Sequence, residues 1–190
     1  MRNKIIFNLN WKKLLFSFYW LVVLLIIVDQ ASKALFLHLE ATQGPGFELT
    51  IIDNFFYFSY TRNTGAAWSI LRDYPIFLVL ISLFAGGAML AYRIIKRKEL
   101  SSLYKAAWAL AIAGTFGNFI DRAFYKLFTG RPGVVDFLHF RFGNYDFPIF
   151  NVADMCLVIG LFGLIIMGFI DDNKPKLKQE AVKVEDPRHE

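Results

Sequence analysis

The chain has 190 residues, 56% of them hydrophobic and only 19% charged. Soluble domains carry nearer a quarter charged residues, and the apolar residues here fall in long runs, so an ordinary soluble domain is excluded in favour of one compact polytopic membrane unit. The formal net charge of +5 does not indicate nucleic acid, because the basic residues gather at the ends of apolar runs without the aromatic interleaving of a nucleic-acid surface.

In chain order, Arg2, Lys4, Lys12 and Lys13 precede a first apolar run over 14–37. It resembles a signal peptide, but no small-residue cleavage site follows it, so it is read as an uncleaved transmembrane helix. A helix crossing the hydrocarbon core needs about 20 mostly apolar residues. Three further segments meet that need: 74–92, with Pro75 at its start; 103–124, ending in Asp121 and Arg122; and 148–170, interrupted only by Asp154. Segment 47–52 and segment 55–60 are rich in β-branched and aromatic residues, and Asp53-Asn54 between them is a turn signal. They predict a small antiparallel sheet, a cradle over about 40–70, lying on the membrane surface. Residues 125–147 read as a loop, with room for a short interfacial helix. The charged segment 171–190 reads as a disordered tail. The predicted fold class is therefore an all-α polytopic membrane protein with four transmembrane helices, a small β-cradle and a loop over the site.

Most of the 21 Lys and Arg residues lie before the first span, between the second and third, and after the fourth. The positive-inside rule makes that side, with both termini, cytoplasmic. The single cysteine, Cys156, excludes an internal disulfide and reads as a small buried hydrophobe. Trp11 and Trp68 read as interfacial anchors, and His139 as an exposed loop residue with no second histidine at metal-ligand spacing. No metal, cofactor or nucleic acid is expected, and the unit is read as a monomer.

The polar outliers converge on one depth. Asp29 and Lys33 close the first span, Asn118, Asp121 and Arg122 the third, and Asn151 and Asp154 open the fourth, while Asp136 sits on the segment leading into it. Asp29 and Lys33 are spaced i,i+4 and can pair. Gly114, Asn118 and Arg122 form a stripe on which the glycine permits close approach. Asn151 and Asp154 share a face, with the small Ala153 between them suited to an approaching substrate. Several of these residues have plainer readings: a helix-end ion pair for Asp29 and Lys33, an interfacial pair for Asp121 and Arg122, a turn for Asn63. Asp154 has none, since an acid inside an apolar span costs several kcal/mol and no basic neighbour lies within a turn. If Asp136 and Asp154 share one water, they cannot both ionise cheaply. They then hold one proton between them, as in aspartic proteases.

Five motifs in order, Asp29-Gln30-Ala31-Ser32-Lys33, Asn63-Thr64-Gly65-Ala66-Ala67-Trp68-Ser69, Gly114-Thr115-Phe116-Gly117-Asn118-Phe119-Ile120-Asp121-Arg122, Val134-Val135-Asp136-Phe137 and Phe150-Asn151-Val152-Ala153-Asp154, together resemble those of the bacterial lipoprotein signal peptidases (signal peptidase II). The resemblance covers residues 14–170. It implies an intramembrane aspartic endopeptidase of the bacterial cytoplasmic membrane, acting near the outer face. Its substrates are diacylglyceryl-modified prolipoproteins, its surroundings membrane lipids, and its inhibitors cyclic peptides of the globomycin type. It implies that Asp136 and Asp154 are the catalytic dyad. Asn118, Arg122 and Asn151 shape the site and contact substrate, and Asp29, Lys33, Asn63 and Gly65 support it. The segment 141–146 and the tail depart from the family pattern. A proton-coupled carrier would stagger its acids through the membrane, and a purely structural subunit leaves the convergence without a cause. The presenilin type lacks its Gly-x-Gly-Asp signature here.

Overall fold

The computed structural model describes residues 18–65, 71–95 and 101–185. Helix α1 spans Phe18–Gln43, and strands β1 (Glu48–Ile52) and β2 (Phe56–Asn63) follow. Helices α2 (Pro75–Ile95) and α3 (Ser102–Thr129) come next, then β3 (Val134–Phe142), β4 (Tyr145–Asp146) and α4 (Val152–Glu185).

Three helices are long and apolar enough to cross a membrane: α1, α2 and the Val152–Ile170 part of α4. They carry most of the bundle's exposed large hydrophobics, such as Ile27, Phe84 and Phe162, although Leu103, Phe124 and Leu127 near the ends of α3 are exposed too. Helix α3 is different. It packs against each of the other three, and Ala107, Ala109, Ala111, Ile112 and Ala113 are buried. A helix enclosed by its neighbours needs small residues more than a uniformly apolar surface. Its ends are explicit. Ser101 accepts a hydrogen bond from the Tyr104 backbone N–H at 3.3 Å, and Gly130, at φ 69°, closes the helix in the left-handed conformation.

The sheet is an antiparallel meander, β1-β2-β3-β4. The Asp53-Asn54 turn is where the sequence places it, with Asn54 at φ 59°. The stretch read as a loop over 125–147 needs correction. Residues to Thr129 finish α3, and β3 is a nine-residue strand paired with β2, with Thr61 opposite Asp136. Val134–Phe137 is buried on both faces, so the alternation that announces a half-exposed strand is missing. The cradle therefore has four strands rather than two, and residues 40–43 belong to α1. Stacking of Phe36 on Phe137, with ring centroids 4.2 Å apart, docks the sheet on the end of α1.

The fourth apolar helix starts at Val152, because Pro148–Asn151 runs alongside β3 instead. Helix α4 continues to Glu185, so 171–185 is helical where its polarity suggested a disordered tail; its Lys, Glu, Gln and Ala residues are good helix formers. Trp11 and Trp68 lie outside the described residues.

Candidate active site

The site forms where the sheet meets the bundle. Helix α4 begins with a reciprocal cap. Asn151 Oδ1 accepts from the Asp154 backbone N–H at 2.9 Å, while Asp154 Oδ2 accepts from the Asn151 backbone N–H at 3.2 Å. This is the capping-box arrangement with Asn and Asp in place of Ser and Glu. Asp154 thus has a structural duty that its surroundings in sequence did not suggest. Its other oxygen, Oδ1, accepts from Asn118 Nδ2 at 2.7 Å.

Asp136 enters from β3 and is almost wholly buried. Its Oδ1 accepts from Asn151 Nδ2 at 2.6 Å, and the Asn63 side chain also hydrogen-bonds the carboxyl. Asn151 therefore touches both acids, one through its side chain and one through its backbone. Burial first, then the charge of Asp154, push Asp136 up to about 8.

A second layer of charge lies behind the pair. Lys33 Nζ is completely buried and meets Asp29 Oδ2 at 2.9 Å, Asp121 Oδ2 at 3.1 Å and Asn118 Oδ1 at 3.1 Å. Gln30 Nε2 spans the two acids, 3.1 Å from Asp29 and 2.9 Å from Asp121. Each of these acids then reaches the backbone beside one member of the front pair. Asp121 Oδ2 accepts from Val135 N–H at 3.2 Å, next to Asp136. Asp29 Oδ1 accepts from Ala153 N–H at 2.8 Å, next to Asp154. Lys33 holds both braces at once, and a buried cation serving two carboxylates avoids the cost of leaving either unpaired.

The sequence-predicted residues fall into place unevenly. Asp29 and Lys33 do pair, with Asp121 as a third member. Asp121 does not pair with Arg122: the helix turns them apart, and Arg122 Nη2 donates to Gly65 O at 3.2 Å. Asn63 makes the turn expected of it, accepting from Gly65 N–H at 3.0 Å, besides binding Asp136. Ala153 is not open to a substrate. It is buried and packs on Gly117, where an added Cβ would lie 2.9 Å from the Ala153 Cβ. Gly114 is a packing glycine too, since a Cβ there would stand 2.3 Å from Ala153 O. His139 is buried in β3 rather than exposed, because the loop assigned to it is a strand. Gln30 was missed as a bridging residue; its place next to Asp29, inside the Asp29–Lys33 turn, was the available signal. Cys156 is buried as expected. Among the described residues no group of three or more His, Cys, Asp or Glu is placed to hold a metal ion.

Asp136, Asp154, Asn118 and Arg122 sit at the head of a cleft of about 760 Å³. Helices α2 and α4 form its walls and α3 its floor. Below the polar head the lining is apolar: Leu78, Ile81 and Met89 on one side, Leu157 and Leu161 on the other. From Leu78 to Met89 that wall runs roughly 16 Å at the helical rise. The arrangement can hold an extended or helical apolar peptide along the groove and present one of its carbonyls to two acids.

A family model described as signal peptidase (SPase) II matches residues 21–170. The chain belongs to the signal peptidase II family. A lipoprotein signal peptidase of Bacillus pumilus is 39% identical over 160 residues, 84% of this chain and 97% of the relative. That of Bacillus subtilis is 38% identical over 162 residues, 85% and 99% of the two chains. Two solved bacterial membrane enzymes, each 35% identical, share the fold. One, at 2.3 Å resolution, gives a TM-score of 0.67 over 84% of this chain and 90% of its own. The other, at 1.9 Å, gives 0.64 over 79% and 90%. The chain is accordingly an enzyme, an aspartic-type signal peptidase and a membrane protein.

Proposed function

We propose that this enzyme removes the signal peptide of prolipoproteins on the amino side of a diacylglyceryl-modified cysteine, using Asp136 and Asp154 to activate water. The observation that carries the reading is Asn151, whose two donors hold one oxygen of each acid at the head of the apolar cleft. The named relatives support the lipoprotein substrate. Asp136, raised to about 8, holds the shared proton at neutral pH, and Asp154 is the ionised partner. The pair titrates as a unit. Asp154 takes a proton from water as the oxygen attacks the scissile carbonyl, and Asp136 gives its proton to the carbonyl oxygen. Arg122 Nε is buried without a hydrogen-bond partner among the described residues, which leaves a donor at the cleft wall for a substrate carbonyl. The apolar groove takes the signal helix.

Helix α3 is the fourth span in this reading, shielded from lipid by its three neighbours. Both termini face the cytoplasm, and the sheet lies at the outer surface of the bacterial cytoplasmic membrane. There the acyl chains of the modified cysteine stay in lipid while the peptide bond reaches the acids. A gel-shift assay of a purified lipidated precursor tests this. Asp136→Asn and Asp154→Asn each abolish cleavage while the protein still folds, and a globomycin-type peptide blocks the wild type. An unlipidated precursor is cut slowly. Near-normal turnover in either variant overturns the dyad, and equal rates on both precursors overturn the substrate class.

A further inference from the structure

The apolar cleft has a smaller neighbour beyond its polar head. A pocket of about 280 Å³ is lined by Thr64, Arg72, Pro75, Arg122, Pro132 and Gly133. Arg122 and Leu78 line both cavities, so the two share a wall. Position along α2 gives their order: Pro75 and Leu78 face the small pocket, and Leu78 to Met89 the groove. Thr64 and Gly133 lie one step past the last pair of the β2–β3 ladder, Asn63 opposite Val134. They pack closely, since a Cβ on Gly133 would stand 3.1 Å from Asn63 O and 3.3 Å from Thr64 Cγ2. Gly133 is three residues before Asp136, about 10 Å at the rise of a strand.

That order has a consequence for a peptide cut at the head of the groove. Its signal helix lies along α2 below the acids, so the chain on the carboxyl side of the bond continues past them towards the start of α2. The first residue there is the modified cysteine, whose acyl chains turn into lipid. An extended chain then advances about 3.4 Å per residue, so the small pocket meets the two residues that follow the cysteine.

The lining of the pocket is charged in one sense. It holds two guanidinium groups and, among the described residues, no carboxylate. Arg122 donates from Nη2 to Gly65 O, and its buried Nε has no partner among the described residues. Arg72 is exposed and has no ion pair among the described residues; Asp73 beside it is not part of the lining. Arg131, close by in sequence, is turned to Glu40 at 3.8 Å. A cleft lined by one sign of charge concentrates its field on whatever enters. We propose that this pocket is a subsite for the first residues of the mature lipoprotein, and that Arg72 is a specificity-determining residue favouring an acidic over a basic side chain just after the modified cysteine. Arg122, at the shared wall, serves the main chain, and Arg72 reads the charge of the side chain.

The inference rests on the dyad reading, and the test separates the two. Two lipidated precursors differ only in the two residues after the cysteine, Asp-Asp in one and Lys-Lys in the other. Their kcat/KM values are measured with the wild type, Arg72→Gln and Arg72→Glu in uncharged detergent. Only the ratio within each enzyme is read, so differences in folding and yield cancel. The wild type prefers the acidic precursor roughly three- to tenfold, the scale of a partly exposed ion pair formed in one case and a like-charge contact met in the other. The ratio falls towards one in Arg72→Gln and inverts in Arg72→Glu, and added salt compresses it. A ratio that is the same in all three enzymes overturns the subsite. So does the pattern of a lipid headgroup on Arg72, in which phosphatidylglycerol speeds both precursors equally in the wild type and neither in Arg72→Glu. The second arm needs no turnover: both precursors are bound to Asp136→Asn, alone and combined with Arg72→Glu, and the same preference and reversal are expected in the affinities. Failure of the wild type to cut overturns the dyad reading instead, and the affinities then decide the subsite. Cutting by Asp136→Asn does the same to the dyad, and the kcat/KM ratios then decide it.

Discussion

The contact between α3 and α4 is built in two ways along its length. Away from the sheet it relies on missing side chains. A Cβ at Gly160 would stand 2.3 Å from Ala111 N, and one at Gly163 2.9 Å from the Ala107 Cβ. Near the sheet it is filled by hydrogen bonds among Asn118, Asn151 and Asp154, backed by Lys33 and its two acids. Close approach of small residues holds helices together where lipid offers no hydrophobic drive. The polar half also needs the small residues Gly114 and Gly117, which pack on Ala153, but it stands only while its charges balance.

The sharpest way to break this contrast is Lys33→Met. It leaves Asp29 and Asp121 buried without their cation and costs about 3–5 kcal/mol of stability, seen as a large fall in melting temperature in detergent. A melting point within a degree of the wild type would show that the polar half does not depend on this charge. Gly160→Val attacks the other half. Its new atoms meet backbone, which cannot step aside, and the cost is about 2–4 kcal/mol. Cleavage by the molecules that stay folded is little changed, whereas an equal loss of kcat would join the two halves functionally.

A smaller effect reads the polar half by pH. The carboxyl of Asp136 is raised in the folded state from 3.8 to about 8, so the fold prefers it protonated. Its contribution to stability is fully present below about pH 4 and is lost as pH rises towards 8. Asp136→Asn removes that loss. Relative to the wild type its melting temperature is higher at pH 8, and the gain shrinks on going down to pH 4. A gain that grows on acidification contradicts the burial of this acid. The smallest effect belongs to neither half: Ser101→Ala removes the cap of α3 and costs about 1 kcal/mol, measured by the same melting experiment, with kcat intact.

Much of the bundle was legible because helix-forming runs and their ends are local. Pro75 opens α2 where the sequence places a helix start, and Asp53-Asn54 turns the first hairpin. The motif residues Asp136, Asp154, Asn118 and Asn151 do meet at one place. What failed was local evidence on segments whose surroundings are remote. Strand β3 lost its alternation because both faces are covered. His139 looked exposed because its partners Glu48 and Ser59 lie far upstream. Asp121 looked paired with Arg122 because adjacency in sequence hides the 100° between successive helix residues.

Hydropathy and motif order, which need only the chain itself, determined that this protein is a helical membrane peptidase and singled out the acids proposed as its dyad. The tertiary structure alone decided how those acids are held. The Asp29 oxygen that fixes Ala153 acts across 124 positions, and Lys33 reaches Asn118 across 85. A hydrogen bond depends on distance in space to within a few tenths of an ångström, and no pattern read along the chain carries that distance.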